Sequence, residues 1–165
     1  MNKTLFLLMI IPVVLCITGC PVGVAPPLGK PGSEKIDKEL IGIWSQPNPD
    51  LEVIKMEISK IDEYSLKVTI LERGESFMEE NDIFKAWMTI IDGKKFLYLQ
   101  EDGNAIGNYY TYCFDIKGKT LKTYDVTLKV GGVDAVTSTE AYRKEISASL
   151  QFEDALVGES VWSRN

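Results

Sequence analysis

The side chains able to do chemistry in this sequence are few. It contains three cysteines and no histidine, which removes Ser-His-Asp and Cys-His nucleophilic centres and histidine-based zinc sites. Cys113 stands in the aromatic run Tyr109-Tyr110-Thr111-Tyr112-Cys113-Phe114 with no basic neighbour to lower its pKa, and it reads as a buried small apolar residue. Glu79, Glu80 and Asp82 lie close together, but no spacing rule makes a glycosidase pair of them. They read as an acidic solvated loop. Glu101-Asp102-Gly103-Asn104 carries oxygen ligands without the regular spacing or terminal Glu of a calcium loop, and a turn is the better account. No catalytic residue, metal or cofactor is therefore expected, and the chain does not read as an enzyme.

Cys20 is the exception, because of what precedes it. Lys3 gives a basic start, Leu5 to Ile17 is apolar, and Thr18-Gly19 is a small-residue exit, the three parts of an export signal. The apolar stretch is interrupted by Pro12 and falls short of the about 20 residues that span a bilayer, so it reads as a cleaved leader. Ile17-Thr18-Gly19-Cys20 resembles the lipobox of bacterial lipoproteins. That resemblance implies that the Cys20 thiol is alkylated by a diacylglyceryl group, that the leader (residues 1–19) is removed, and that the new amine is acylated. Two or three chains anchor firmly, at about 0.8 kcal/mol per buried CH₂. The expected location is the cell envelope. Pro21 replaces the Asp that holds such lipoproteins at the inner membrane, so the outer membrane is expected in a host with two.

With Cys16 in the leader and Cys20 carrying lipid, Cys113 alone remains, and no intrachain disulfide is expected even in an oxidising compartment. Pro21, Pro26, Pro27 and Pro31 alternate with Gly23, Gly29 and Gly32, a composition that resists helix and central strand. Residues 20–33 are expected to form a tether, extended at about 3 Å per residue, and residues 34–165 a single domain. The net charge is −6, and loss of Lys3 makes it more negative. With no basic stripe to neutralise phosphates, nucleic acid is not an expected partner; the charge serves solubility.

The domain reads as mainly β. Period-two alternation recurs between turn signals: Ile54, Met56 and Ile58, then Tyr64, Leu66, Val68 and Ile70, then a stretch from Ile83 to Ile91. Asp92-Gly93-Lys94 predicts a hairpin into Lys95 to Gln100, and Lys117-Gly118-Lys119 predicts another between Tyr109 to Ile116 and Thr120 to Val130. In the second arm Tyr124, Val126, Leu128 and Val130 are expected to face inward. Thr137 and Glu140 have capping-box spacing, which predicts a helix over 138–150. A last short strand, Ser160 to Ser163, is expected beyond a turn at Gly158.

Leu40-Ile41-Gly42-Ile43-Trp44 is similar to the Gly-x-Trp opening of lipocalins and lipocalin-like bacterial lipoproteins. The resemblance implies an antiparallel up-and-down β-barrel of about eight strands with one helix packed outside it, and the residues place that helix directly before the last strand, a departure from the lipocalin pattern. Closure also follows from physics, since an open meander would leave long apolar edges. Trp44 and Trp162 are then expected together where the first and last strands meet, with Arg164 over an indole. Such a barrel either holds one small ligand or is filled by side chains. Tyr110, Tyr112, Phe114 and Tyr124 are the candidate cavity wall. Two functions are therefore expected: a lipid-anchored protein binding a small hydrophobic or amphipathic ligand, or a filled-barrel lipoprotein that recognises another envelope protein.

Overall fold

The computed structural model describes residues 23–48, 50–74, 82–103 and 108–164. Its strands are β1 (Gly42–Ser45), β2 (Val53–Lys60), β3 (Leu66–Arg73), β4 (Ile83–Ile91), β5 (Lys94–Glu101), β6 (Tyr109–Lys117), β7 (Thr120–Val126) and β8 (Leu156–Arg164), with one helix, α1 (Thr139–Ser149), between the last two. They form a closed, wholly antiparallel up-and-down barrel in sequence order. β1 to β7 follow one another directly, β7 reaches β8 through the long segment that carries α1, and β1 meets β8 through Trp44 opposite Arg164 and Ser45 opposite Ser163. Closure leaves fewer unpaired apolar edges, which is why a sequence of alternating strands adopts it.

The hairpin signals act as their chemistry requires. Asp92 and Gly93 both have positive φ, 49° and 76°, the conformation that matches the twist of adjoining strands. Gly118, at φ 61°, turns β6 into β7.

Two apolar layers result, one on each side of the barrel wall. The inner layer includes Trp44, Ile58, Leu66, Leu121 and Trp162. The outer layer covers β4, β5 and β6: Phe96, Tyr98, Trp87 and Cys113 point away from the barrel and are buried with Ile146 and Tyr142 of α1. Trp87 stacks on Tyr98, with ring centres 5.7 Å apart and planes 21° apart. A sheet apolar on both faces needs cover on both, and α1 supplies much of the outer cover.

Four expectations are corrected. Residues 23–33 are not a free tether: Val24 and Leu28 belong to the outer layer, and Leu28 is fully buried. Proline and glycine do bar regular structure here, but an extended strap can still insert two apolar side chains. The helix cap is Ser138, not Thr137. Its Oγ accepts from the Ala141 amide at 3.1 Å, because the preceding 3-10 turn (Val133–Ala135) delays the helical course by one residue. β7 ends at Val126 rather than Val130, and Tyr124, Val126 and Leu128 pack in the outer layer rather than inward, as described below. Finally, Gly158 does not precede β8 but lies within it, at φ 61°, where β7 and β8 shift register between Thr123 and Asp125.

Candidate functional site

The barrel has unlike ends. At one, the chain enters through Ile36 and the 3-10 turn Lys38–Leu40, beside the β2–β3, β4–β5 and β6–β7 turns. Leu40 plugs it: the side chain is buried, and its carbonyl accepts from Trp44 Nε1 at 2.7 Å. Trp44 is fully buried, Trp162 donates from Nε1 to Thr123 Oγ1 at 3.0 Å, and Phe114 and Leu121 fill the space between. Arg164 lays its guanidinium over Trp44, Cζ to ring centre 4.5 Å, and donates to the Glu39 carbonyl. This half is filled by side chains.

The other end is where β1, β3, β5 and β7 finish and β2, β4, β6 and β8 begin. Here the inward-facing residues are only half-buried: Val53, Phe84, Tyr110, Tyr112 and Asp125. Register places them on the inner face, since Tyr110 opposes Leu99, and Tyr112 opposes Leu97 on one side and Asp125 on the other. Phe84 and Tyr110 meet edge to face, 6.3 Å between centres and 89° between planes, the arrangement that aligns ring edge with ring face. At the rim Arg73 pairs with Glu52 at 3.5 Å and with Asp82.

Electrostatics mark the same end. Burial raises the Tyr112 hydroxyl pKa well beyond the usual phenol range, with the negative charges of Asp125 and Glu52 adding to it. Burial likewise raises the Asp125 carboxyl above its ordinary value. Asp125 thus sets an interior carboxyl opposite the Tyr112 phenol, a polar point beside aromatic rings.

The four aromatic residues expected to line a cavity separate. Tyr110 and Tyr112 reach the mouth, and Phe114 points inward but is packed in the filled half. Tyr124 faces outward: it opposes the outward Cys113, and its hydroxyl donates to Glu159 Oε2 at 2.9 Å on the surface. The alternation in β7 is real, but its apolar phase serves the outer layer, where Tyr124, Val126 and Leu128 pack. Asp125 was hidden by the same inversion. Phe84 was legible from its phase with Ala86 and Met88. Trp44, Trp162 and Arg164 do come together at the filled end. Among the acids, Asp82 is tied to Arg73 and Asp102 lies in the turn after β5; Cys20, Glu79, Glu80 and Asn104 lie outside the described residues.

Comparison with protein-family models, with curated proteins and with solved structures finds no significant match to this chain.

Proposed function

We propose that the protein is a lipid-anchored binding protein of lipocalin-like type, held in the cell envelope through Cys20, which takes a small apolar or amphipathic molecule into the open half of its barrel. The observation that carries this reading is the change in burial along the barrel axis. Trp44, Leu121 and Trp162 are buried at one end, whereas the inward rings of Phe84, Tyr110 and Tyr112 at the opposite end are only partly buried. Aromatic rings left accessible in a concave wall are an uncompensated cost for a scaffold and a contact surface for a ligand. The filled half then serves as the rigid floor that positions them. The export signal and lipobox-like sequence support the anchor.

Native mass spectrometry of the protein from its own host, followed by titration with a hydrophobic fluorescent probe, tests the reading. Saturable probe uptake is expected, and the Tyr110→Ala/Tyr112→Ala double variant should weaken it while unfolding stays cooperative. A wild-type protein that binds no probe and carries no host molecule would leave the alternative, an envelope lipoprotein with a side-chain-filled barrel that recognises a protein partner.

A further inference from the structure

The segment before β1 runs along the outside of the barrel from its open end to its filled end. Val24 and Tyr109, the first residue of β6, exchange both backbone hydrogen bonds, at 3.0 and 2.8 Å. Leu28 is buried under the outer layer, and its carbonyl accepts from Arg143 of α1 at 3.4 Å. Further on, Glu34 accepts from Thr89 Oγ1 at 2.6 Å, and the Ile36 amide reaches the Glu63 carbonyl at 3.1 Å at the filled end. The strap is therefore pinned along its length.

Its first described residue touches the mouth. A Cβ built on Gly23 would lie 2.6 Å from Asn108 Cβ and 3.3 Å from Tyr110 Cε1, and Tyr110 is one of the two tyrosines lining the open half. Only three peptide units separate Gly23 from Cys20, a reach of at most about 11 Å at 3.3–3.6 Å per residue. The longer strands, of eight or nine residues, run about 25–30 Å at 3.3 Å per residue, and a barrel tilt of about 35–45° makes the wall about 20 Å tall. The leash is thus shorter than the barrel it holds.

Resting on the lipid-anchored binding reading, we infer that the acyl chains on Cys20 hold the barrel with its mouth toward the bilayer, and that the ligand is an amphiphile exchanged with that membrane rather than one captured from solution. Charge does not produce this orientation. This end carries Asp50, Glu52, Asp82, Glu101 and Asp102, with Arg73 paired to Glu52 and Asp82, and an anionic leaflet repels such a surface over about a Debye length of 8–10 Å. The leash opposes that repulsion at the same distance. The mouth then faces the headgroups without inserting among them, and a single amphiphile has a short path from leaflet to aromatic wall.

The test uses membrane-purified, acylated protein in phosphatidylcholine vesicles containing a headgroup spin label that quenches fluorescence. One fluorophore is attached through Asp50→Cys in the exposed β1–β2 loop at the mouth. Another is attached through Lys119→Cys in the exposed turn at the filled end. Cys113 does not compete, since it is buried and its thiol pKa is pushed up to about 11. Quenching at 50 should exceed that at 119 several-fold, and about twelve Gly/Ser residues inserted between Cys20 and Gly23 should remove the difference. Equal quenching at the two positions, or a difference that survives the longer leash, would overturn the inference. Intact mass separates this from failure of the underlying reading: a protein without acyl chains sinks the anchor itself, while an acylated protein with equal quenching sinks only the orientation.

Discussion

Arg164, near the end of the chain, lies across the face of Trp44, near the start of the barrel, with its guanidinium carbon 4.5 Å from the ring centre. The same two residues are register partners in the β1–β8 pairing that closes the barrel. Stacking of this kind contributes about 0.5–1 kcal/mol when exposed and more when desolvated. Trp44→Ala removes a fully buried indole and should cost about 3–5 kcal/mol. Arg164→Ala should cost less, because it removes only one face of the contact. Denaturant unfolding measures both, and a negligible loss in Trp44→Ala would refute the placement of closure at this pair.

Asp125 should make the barrel more stable in mild acid than its isosteric variant predicts. Burial raises its carboxyl pKa in the folded state above the unfolded value, so the folded protein holds that proton more tightly. Between the two values stability falls as pH rises. Asp125→Asn, neutral at every pH, should therefore raise the melting temperature at pH 7, and the gain should vanish below the unfolded carboxylate pKa of about 3.9. A constant difference across pH 3–7 would show that Asp125 does not titrate with folding.

Glu145 has the opposite sign. Burial raises its pKa, but the amides of Gly131, Val130 and Gly132, donating into the carboxylate at 2.9–3.3 Å, outweigh burial and hold it below the usual range. Its stabilisation is present above the unfolded pKa and is lost as pH falls through the folded one. Glu145→Gln should cost about 1–3 kcal/mol at pH 7 by weakening charge-assisted acceptance of these amides. The penalty should shrink in acid. A variant as stable as wild type at pH 7 would remove the carboxylate from the account of how residues 130–132 are held against α1.

Leu28 distinguishes a strap from a tether. Its side chain is wholly buried, so Leu28→Ala should lower stability by about 2–5 kcal/mol. Pro31→Ala, in an exposed part of the same segment, should change it little. Equal and negligible effects at both positions would return residues 23–33 to the role of a free spacer.

Strand phase, hairpin turns and the order of elements were legible from local pattern. Alternation in Met56/Ile58 and Leu66/Val68/Ile70 requires one buried face, Asp92-Gly93 supplies a turn whose twist suits a hairpin, and a meander of such strands closes to shed its edges. What local pattern could not say is which of two apolar layers a given residue serves. Tyr124 and Val126 alternate as an inward strand would, yet they face out, because α1 covers the outer wall and creates a second interior. That inversion concealed Asp125 at the mouth and sent Tyr124 to the surface beside Glu159. Val24 and Leu28 were concealed by the prolines and glycines around them, whose composition rules out regular structure but not packing. By itself, then, the sequence determined strand phase and the hairpin turns, which depend on neighbours a few residues apart, while closure into a barrel followed from the need to shed edges. Only the tertiary structure decided that Trp44, Trp162 and Arg164 lie at one end and the partly buried Phe84, Tyr110 and Tyr112 at the other, and that the strap enters beside Tyr110. Those outcomes depend on contacts between residues far apart in the chain, such as Gly23 with Tyr110 and Trp44 with Arg164, which no periodicity encodes.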